Sequence, residues 1–177
     1  MLLLYGGVDP TANDNEAIRI AARDGQAWLV KLLMEHCRGV DPTACQNESV
    51  REAAAGGHTE VMRQLLVFEG VDPTVACNEC IRSAARNGHT SMVELLLECD
   101  GGDAGVQNSF ALRAAVHNGF TDIARLLLEH GSVDIDSCSI ELEAAKKKGL
   151  TDVVSLLQLH RRGLVESHTN TSHKIVV

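Results

Sequence analysis

Five glycines, Gly25, Gly57, Gly88, Gly119 and Gly149, stand 32, 31, 31 and 30 residues apart, and the text around each one matches. This period constrains the chain more than any other feature. A unit of about 30 residues cannot bury an apolar face alone and becomes stable only against copies of itself. The blocks that run into the first three glycines read NEAIRIAARDG, NESVREAAAGG and NECIRSAARNG, and the last two, SFALRAAVHNG and SIELEAAKKKG, keep the same frame. Each opens on Asn or Ser, whose side-chain oxygen can accept an orphan amide at a helix start. Each closes on Gly, the usual residue just past a helix end. A short first helix is therefore predicted in every copy, with Ile18, Ala21 and Ala22 facing inward in the first and Val50, Ala53 and Ala54 in the second.

Behind each glycine comes a second apolar run, such as HTEVMRQLL, HTSMVELLL, FTDIARLLL and LTDVVSLLQ, with Thr59, Thr90, Thr121 and Thr151 as candidate N-caps. The paired apolar positions Leu29–Val30 and Leu33–Met34 recur as Met92–Val93 and Leu96–Leu97, which gives a helix of about three turns with one buried face. Val-Asp-Pro then stops it, because proline lacks an amide donor and pushes the aspartate before it out of helical space. The predicted fold is all-α, a solenoid of stacked antiparallel helix pairs with short inter-repeat loops. Residues 1–160 form the repeat domain: a partial unit at 1–8, then repeats at about 9–39, 40–70, 71–101, 102–132 and 133–160. Residues 161–177 have no period and are expected to be a mobile tail, with the terminal KIVV a weak candidate for carboxylate recognition.

Composition fits this reading and removes several others. Apolar residues make up 45% of the chain but aromatic ones only 3%, so the core must be aliphatic and an aromatic ligand cage is excluded. A net charge of −8 opposes the broad basic surface that nucleic-acid binding needs. No run reaches the length of about 18 apolar residues needed to span a membrane. The opening MLLLYGG has no basic residue and is too short for a secretory signal. Its Leu2, Leu3 and Leu4 fall at the end of a second helix in the register, so the chain is expected to start inside a repeat of a longer array. At the other end, Lys146 and Gln158 replace residues that are apolar in the other copies, as a terminal repeat meeting water requires. The six cysteines, Cys37, Cys45, Cys77, Cys80, Cys99 and Cys138, read as reduced intracellular thiols, which points to the cytoplasm.

The segments GHTEVMRQLL from Gly57 and NGHTSMVELLL from Asn87, with the pairs Ala21-Ala22, Ala53-Ala54 and Ala84-Ala85, resemble the ankyrin repeat over roughly residues 1 to 160. In place of that family's TPLH, this chain has EAIR, ESVR, ECIR, FALR and IELE. Its period is about two residues shorter than the usual 33, which is expected to reduce or remove the projecting finger. The resemblance implies a protein-binding module, with variable contacts just before each turn glycine. Here these are Arg23 and Asp24, Ala55 and Gly56, Arg86 and Asn87, His117 and Asn118, and Lys147 and Lys148. Either these residues form a contact surface or they are surface that drifts without constraint.

The chemical motifs are few. Cys77 and Cys80 form a CxxC, but a structural zinc wants four ligands and no second pair lies at suitable spacing, so no metal and no cofactor are expected. His58 and His89 fall in the inter-helix turn, where the family uses the ring to bridge backbone groups. Arg19, Arg51, Arg82 and Arg113 recur once per repeat. They form either an anion-binding stripe or, as favoured here, local ion pairs with Glu16, Glu48 and Glu79 three residues earlier. Trp28 is either an exposed hot spot or, as favoured here, packed against the preceding half-repeat. The expected function is that of a non-enzymatic scaffold that captures a protein partner through its concave helix-1 surface, as a monomer or as part of a longer chain. The alternative is a spacer within a longer array whose working module lies elsewhere.

Overall fold

The computed structural model describes residues 9–71, 73–99, 105–130 and 139–161. The partial repeat at 1–8, the Cys77 side chain and the tail from residue 162 lie outside them. Among the described residues the structure is ten helices and no strand. The chain divides into two compact units, Met1–Asp100 and Gly101–Val177.

The first unit holds α1 (Ala12–Arg23), α2 (Ala27–His36), α3 (Ala44–Gly56), α4 (Thr59–Leu65), α5 (Pro73–Asn87) and α6 (Thr90–Cys99). Helices α1, α3 and α5 pack in sequence as one layer and α2, α4 and α6 as another. The second unit holds α7 (Gly105–Asn118), α8 (Thr121–Glu129), α9 (Ser139–Lys148) and α10 (Thr151–Arg161), with α7 on α9 and α8 on α10. Helix α10 runs one residue past the boundary placed at 160.

The core is the one the periodicity selects. Ile18, Ala21, Ala22, Val50, Ala53, Ala54, Ala84, Ala85 and Ala115 are fully buried, and the second layer adds Val30, Leu33, Met62, Leu65, Met92, Leu96, Leu127 and Leu128. Alanine keeps the first helices close, while each buried leucine or methionine of the second layer contributes about 1.5–3 kcal/mol.

The first helix ends in the same way in each copy. At Gly25 φ is +69°, and the Gln26 amide donates to the Ala21 carbonyl at 2.8 Å while the Gly25 amide donates to that of Ala22 at 3.3 Å. This glycine-centred double bond satisfies the last carbonyls, and it recurs at Gly57, where the His58 amide reaches Ala53 at 2.9 Å. The reversal that follows is tight enough to make the next residue but one the first helical one. The predicted threonine caps are therefore displaced: Thr59 and Thr121 are already helical, with His58 and Phe120 at the N-cap positions, and no side chain caps either helix.

The asparagines expected to cap the first helices make no cap hydrogen bond in α1 or α3. Asn13, Asp14 and Asn15 are left-handed (φ +53°, +56° and +62°), as are Cys45, Gln46 and Asn47, so the right-handed coil begins only at Glu16 and Glu48. A left-handed non-glycine residue costs roughly 1–2 kcal/mol, least for Asn and Asp. The first of these turns is held from outside. The Asn15 Oδ1 accepts the Asp41 amide of the next loop at 2.8 Å, and Arg19 Nη2 donates to the Asn13 carbonyl at 3.1 Å. The described inter-repeat loops carry no strand and hence no hairpin finger. The loop between α2 and α3 is fixed by an Asp-Pro-Thr turn, in which Asp41 Oδ1 accepts both the amide (2.8 Å) and the hydroxyl (2.6 Å) of Thr43. In the equivalent turn, the Thr11 hydroxyl and amide hold the Asp9 carboxyl below its usual range.

Candidate interaction surface

In the first unit the first-helix layer is α1, α3 and α5, and in the second unit it is α7 and α9. Between α1 and α3 a groove of about 160 Å³ is lined by Glu16, Arg19, Ile20, Arg23, Glu48 and Glu52. Ile20 is exposed there, the only apolar side chain in a charged lining.

The recurrent arginines are bridges between repeats. Arg19 Nη1 meets Glu48 Oε2 at 2.5 Å, Arg51 Nη1 meets Glu79 Oε2 at 3.5 Å, and in the second unit Arg113 Nε meets Glu141 Oε1 at 2.7 Å. The expectation of pairs within one helix is corrected. Each of these three arginines takes the carboxylate of the following repeat, because the start of each first helix lies beside the middle of the one before it. Glu16 is engaged by the Asn13 amide group at 2.8 Å instead. Glu48 raises the Arg19 guanidinium further above its usual value. Arg82, the fourth member of the row, is half-buried.

Within each unit the residues before the turn glycines lie at the ends of the first helices. Arg23 and Asp24 are exposed and joined to one another at 3.0 Å, and this hydrogen bond raises the Arg23 guanidinium. Arg86, His117, Lys147 and Lys148 are exposed as well. Ala55 is half-buried and Gly56 exposed. Asn87 and Asn118 are exposed but tied to the framework. The Asn87 amide group donates to the Ala55 carbonyl of the preceding repeat at 2.8 Å, and that of Asn118 donates to Ala114 at 2.9 Å. His58 and His89 are latches of the same kind. Their Nε2 atoms lie 2.9 Å from the Arg23 carbonyl and 3.0 Å from that of Ala55, and since a carbonyl only accepts, each Nε2 must carry the proton.

Cys80 lies in the core with no exposed surface, and burial pushes its thiol up to about 12, so it stays protonated at neutral pH. A protonated, enclosed sulfur is a poor nucleophile and a poor metal ligand. Among the described residues no group of His, Cys, Asp and Glu side chains could hold a metal ion, and no helix is long and apolar enough to cross a membrane.

Trp28 differs from its favoured reading: it is 68% exposed. It stands three and seven residues before Lys31 and Glu35, on one face of α2. These two line a second groove of about 280 Å³ with Met34, Glu60, Gln64 and Val67, and Val67 is 85% exposed. The sequence marked this face only by the Trp28, Lys31 and Glu35 spacing, since its other wall comes from α4.

Consecutive antiparallel helix pairs, joined by glycine turns and latched through histidine, define a class of helical repeat proteins. The model of the ankyrin repeats, in three copies, matches residues 81–167. That stretch carries ankyrin repeats, which generally mediate protein–protein interaction. No curated protein matches the chain.

Proposed function

We propose that the protein is a non-enzymatic interaction scaffold that works inside the cell, in the cytoplasm, by holding a protein partner on its first-helix surface. The contact residues in this reading are Arg23, Asp24, Arg86, Asn87, His117, Asn118, Lys147 and Lys148. One observation carries it. Before the turn glycines the chemistry changes from copy to copy on residues that are exposed save for half-buried Ala55, while Ala21, Ala53, Ala84, Ala115 and Ala145 one turn earlier stay buried and alike. A rigid frame that presents variable side chains is what recognition without catalysis requires.

The test is capture of a partner from cell extract by the full chain and by a variant carrying Arg86→Glu, His117→Glu and Lys147→Glu. Asn87 and Asn118 are left intact because they bond within the frame. Capture is lost while the far-ultraviolet circular dichroism stays helical. Undiminished capture by the folded variant would overturn the reading.

A further inference from the structure

We propose that the α7–α9 face of the second unit binds an extended acidic peptide that carries one apolar side chain about three residues from a pair of carboxylates. This rests on the scaffold reading and adds the chemistry of the partner.

The argument starts from one register position. The position nine residues before the turn glycine holds Glu16, Glu48 and Glu79 in the first three repeats, and Glu48 and Glu79 accept the arginine of the preceding repeat. In the last two repeats that position holds Phe110 and Ile140. The carboxylate has moved one residue on, to Glu141, where other copies have Ala17, Ser49, Cys80 and Ala111. The ion pair to Arg113 survives at 2.7 Å with Glu141 only 3% exposed, so the carboxylate has gone below the surface while Arg113 stays exposed. The surface spot is left apolar: Phe110 is 47% exposed and Ile140 64%. Arg113 also lies over the Phe110 ring at 5.8 Å, which fixes the ring in place.

Phe110 and His117 stand seven residues apart on α7, as do Ile140 and Lys147 on α9, and the two helices pack together. Seven residues of helix rise about 10 Å, which an extended peptide crosses in about three residues. At the far end the charge is unbalanced. Glu143 is taken by Lys146 at 2.8 Å, while among the described residues neither Lys147 nor Lys148 meets a carboxylate. The face thus offers an apolar seat at one end and two exposed ammonium groups at the other. A basic segment is repelled there. The first unit has 15 acidic and 8 basic side chains over residues 1–100, against 9 and 8 over residues 101–177, so an acidic ligand is directed to the second unit.

The experiment is fluorescence anisotropy of the full chain with a labelled peptide bearing one leucine and, three residues on, two glutamates. The acidic peptide binds, and binding weakens with added salt. Lys147→Glu with Lys148→Glu, and separately Phe110→Ala with Ile140→Ala, each reduce affinity by about tenfold or more, with unchanged circular dichroism. Arg63→Glu, at an exposed position on α4 of the first unit, leaves peptide affinity as it was. Equal binding by both double variants would overturn the inference, as would failure of the acidic peptide to bind. Preference for the same peptide with lysines in place of glutamates would overturn it too, yet leave the scaffold reading standing. Retention on phosphatidylserine vesicles without peptide binding would assign the patch to a membrane surface instead and end this proposal.

Discussion

At Gly57 two requirements meet. The backbone is left-handed (φ +70°), and a Cβ there would come within 2.5 Å of the His89 ring of the next repeat. At Gly119 the backbone is equally left-handed (φ +81°), but a Cβ would meet nothing within 4 Å. Gly119→Ala is therefore expected to cost only the conformational part, about 1 kcal/mol, whereas Gly57→Ala adds displacement of the histidine and costs at least twice that by urea unfolding. Cys80 gives a second prediction at this scale. Its folded thiol ionises near 12 against an ordinary value of 9.0, so its contribution to stability is complete below pH 9 and is lost as pH rises from there towards 12. The native protein should lose stability faster than Cys80→Ala above pH 9, by at most about 1.4 kcal/mol per pH unit, as read from urea midpoints. A disulfide-exchange reagent should label exposed Cys45 in the folded protein and Cys80 only after unfolding. The glycines were legible in the sequence because positive φ leaves a compositional mark. The exposure of Trp28 was not, because one tryptophan on a short helix satisfies a buried face and a wet one equally.

Between elements, the arginine pairs differ in how far the carboxylate is removed from water. Arg113–Glu141 joins α7 to α9 with the carboxylate out of water, while Arg23–Asp24 joins neighbouring exposed residues. A double-mutant cycle on Arg113 and Glu141 should return a coupling of about 1–3 kcal/mol, and the same cycle on Arg23 and Asp24 no measurable coupling. Arg113→Ala alone should be worse than the double variant, since it leaves the buried Glu141 carboxylate without its cation, whereas half-exposed Arg113 can turn to water when Glu141 is removed. The histidine latch belongs to this scale too. His58→Phe copies the residue found at the same register in Phe120 but leaves the Arg23 carbonyl without its donor, for an expected loss of about 1 kcal/mol in thermal unfolding. Helix existence and facing were readable from spacing alone. Helix starts were not: Asn15 and the threonines carry the composition of a cap, and only the left-handed turn and the loop contact to Asp41 show that Asn15 holds the next repeat's loop.

Over the whole molecule, one register position has two fates. Ala22, Ala54, Ala85 and Val116 are buried, whereas Lys146 at the same place is exposed. Ala54→Lys should unfold the first unit or cost several kcal/mol, because it puts a charge where α3 is covered on both sides, by α1 and by α5. Lys146→Ala should change stability by no more than about 0.5 kcal/mol, with both effects read from circular-dichroism melts. The sequence by itself determined the period, the helix pairs, the aliphatic core and the turn glycines. Each of these is a local spacing, and an amphipathic helix writes its own inner face into its own residues. Only the tertiary structure decided which carboxylate each arginine meets, 28 or 29 residues away, which loop Asn15 holds, and that Phe110 and Ile140 are left open to solvent. Those outcomes depend on the offset between one helix and the next when they stack. That offset is set by the fit of alanine faces and turn histidines across the repeat boundary, and no spacing within a single repeat records it.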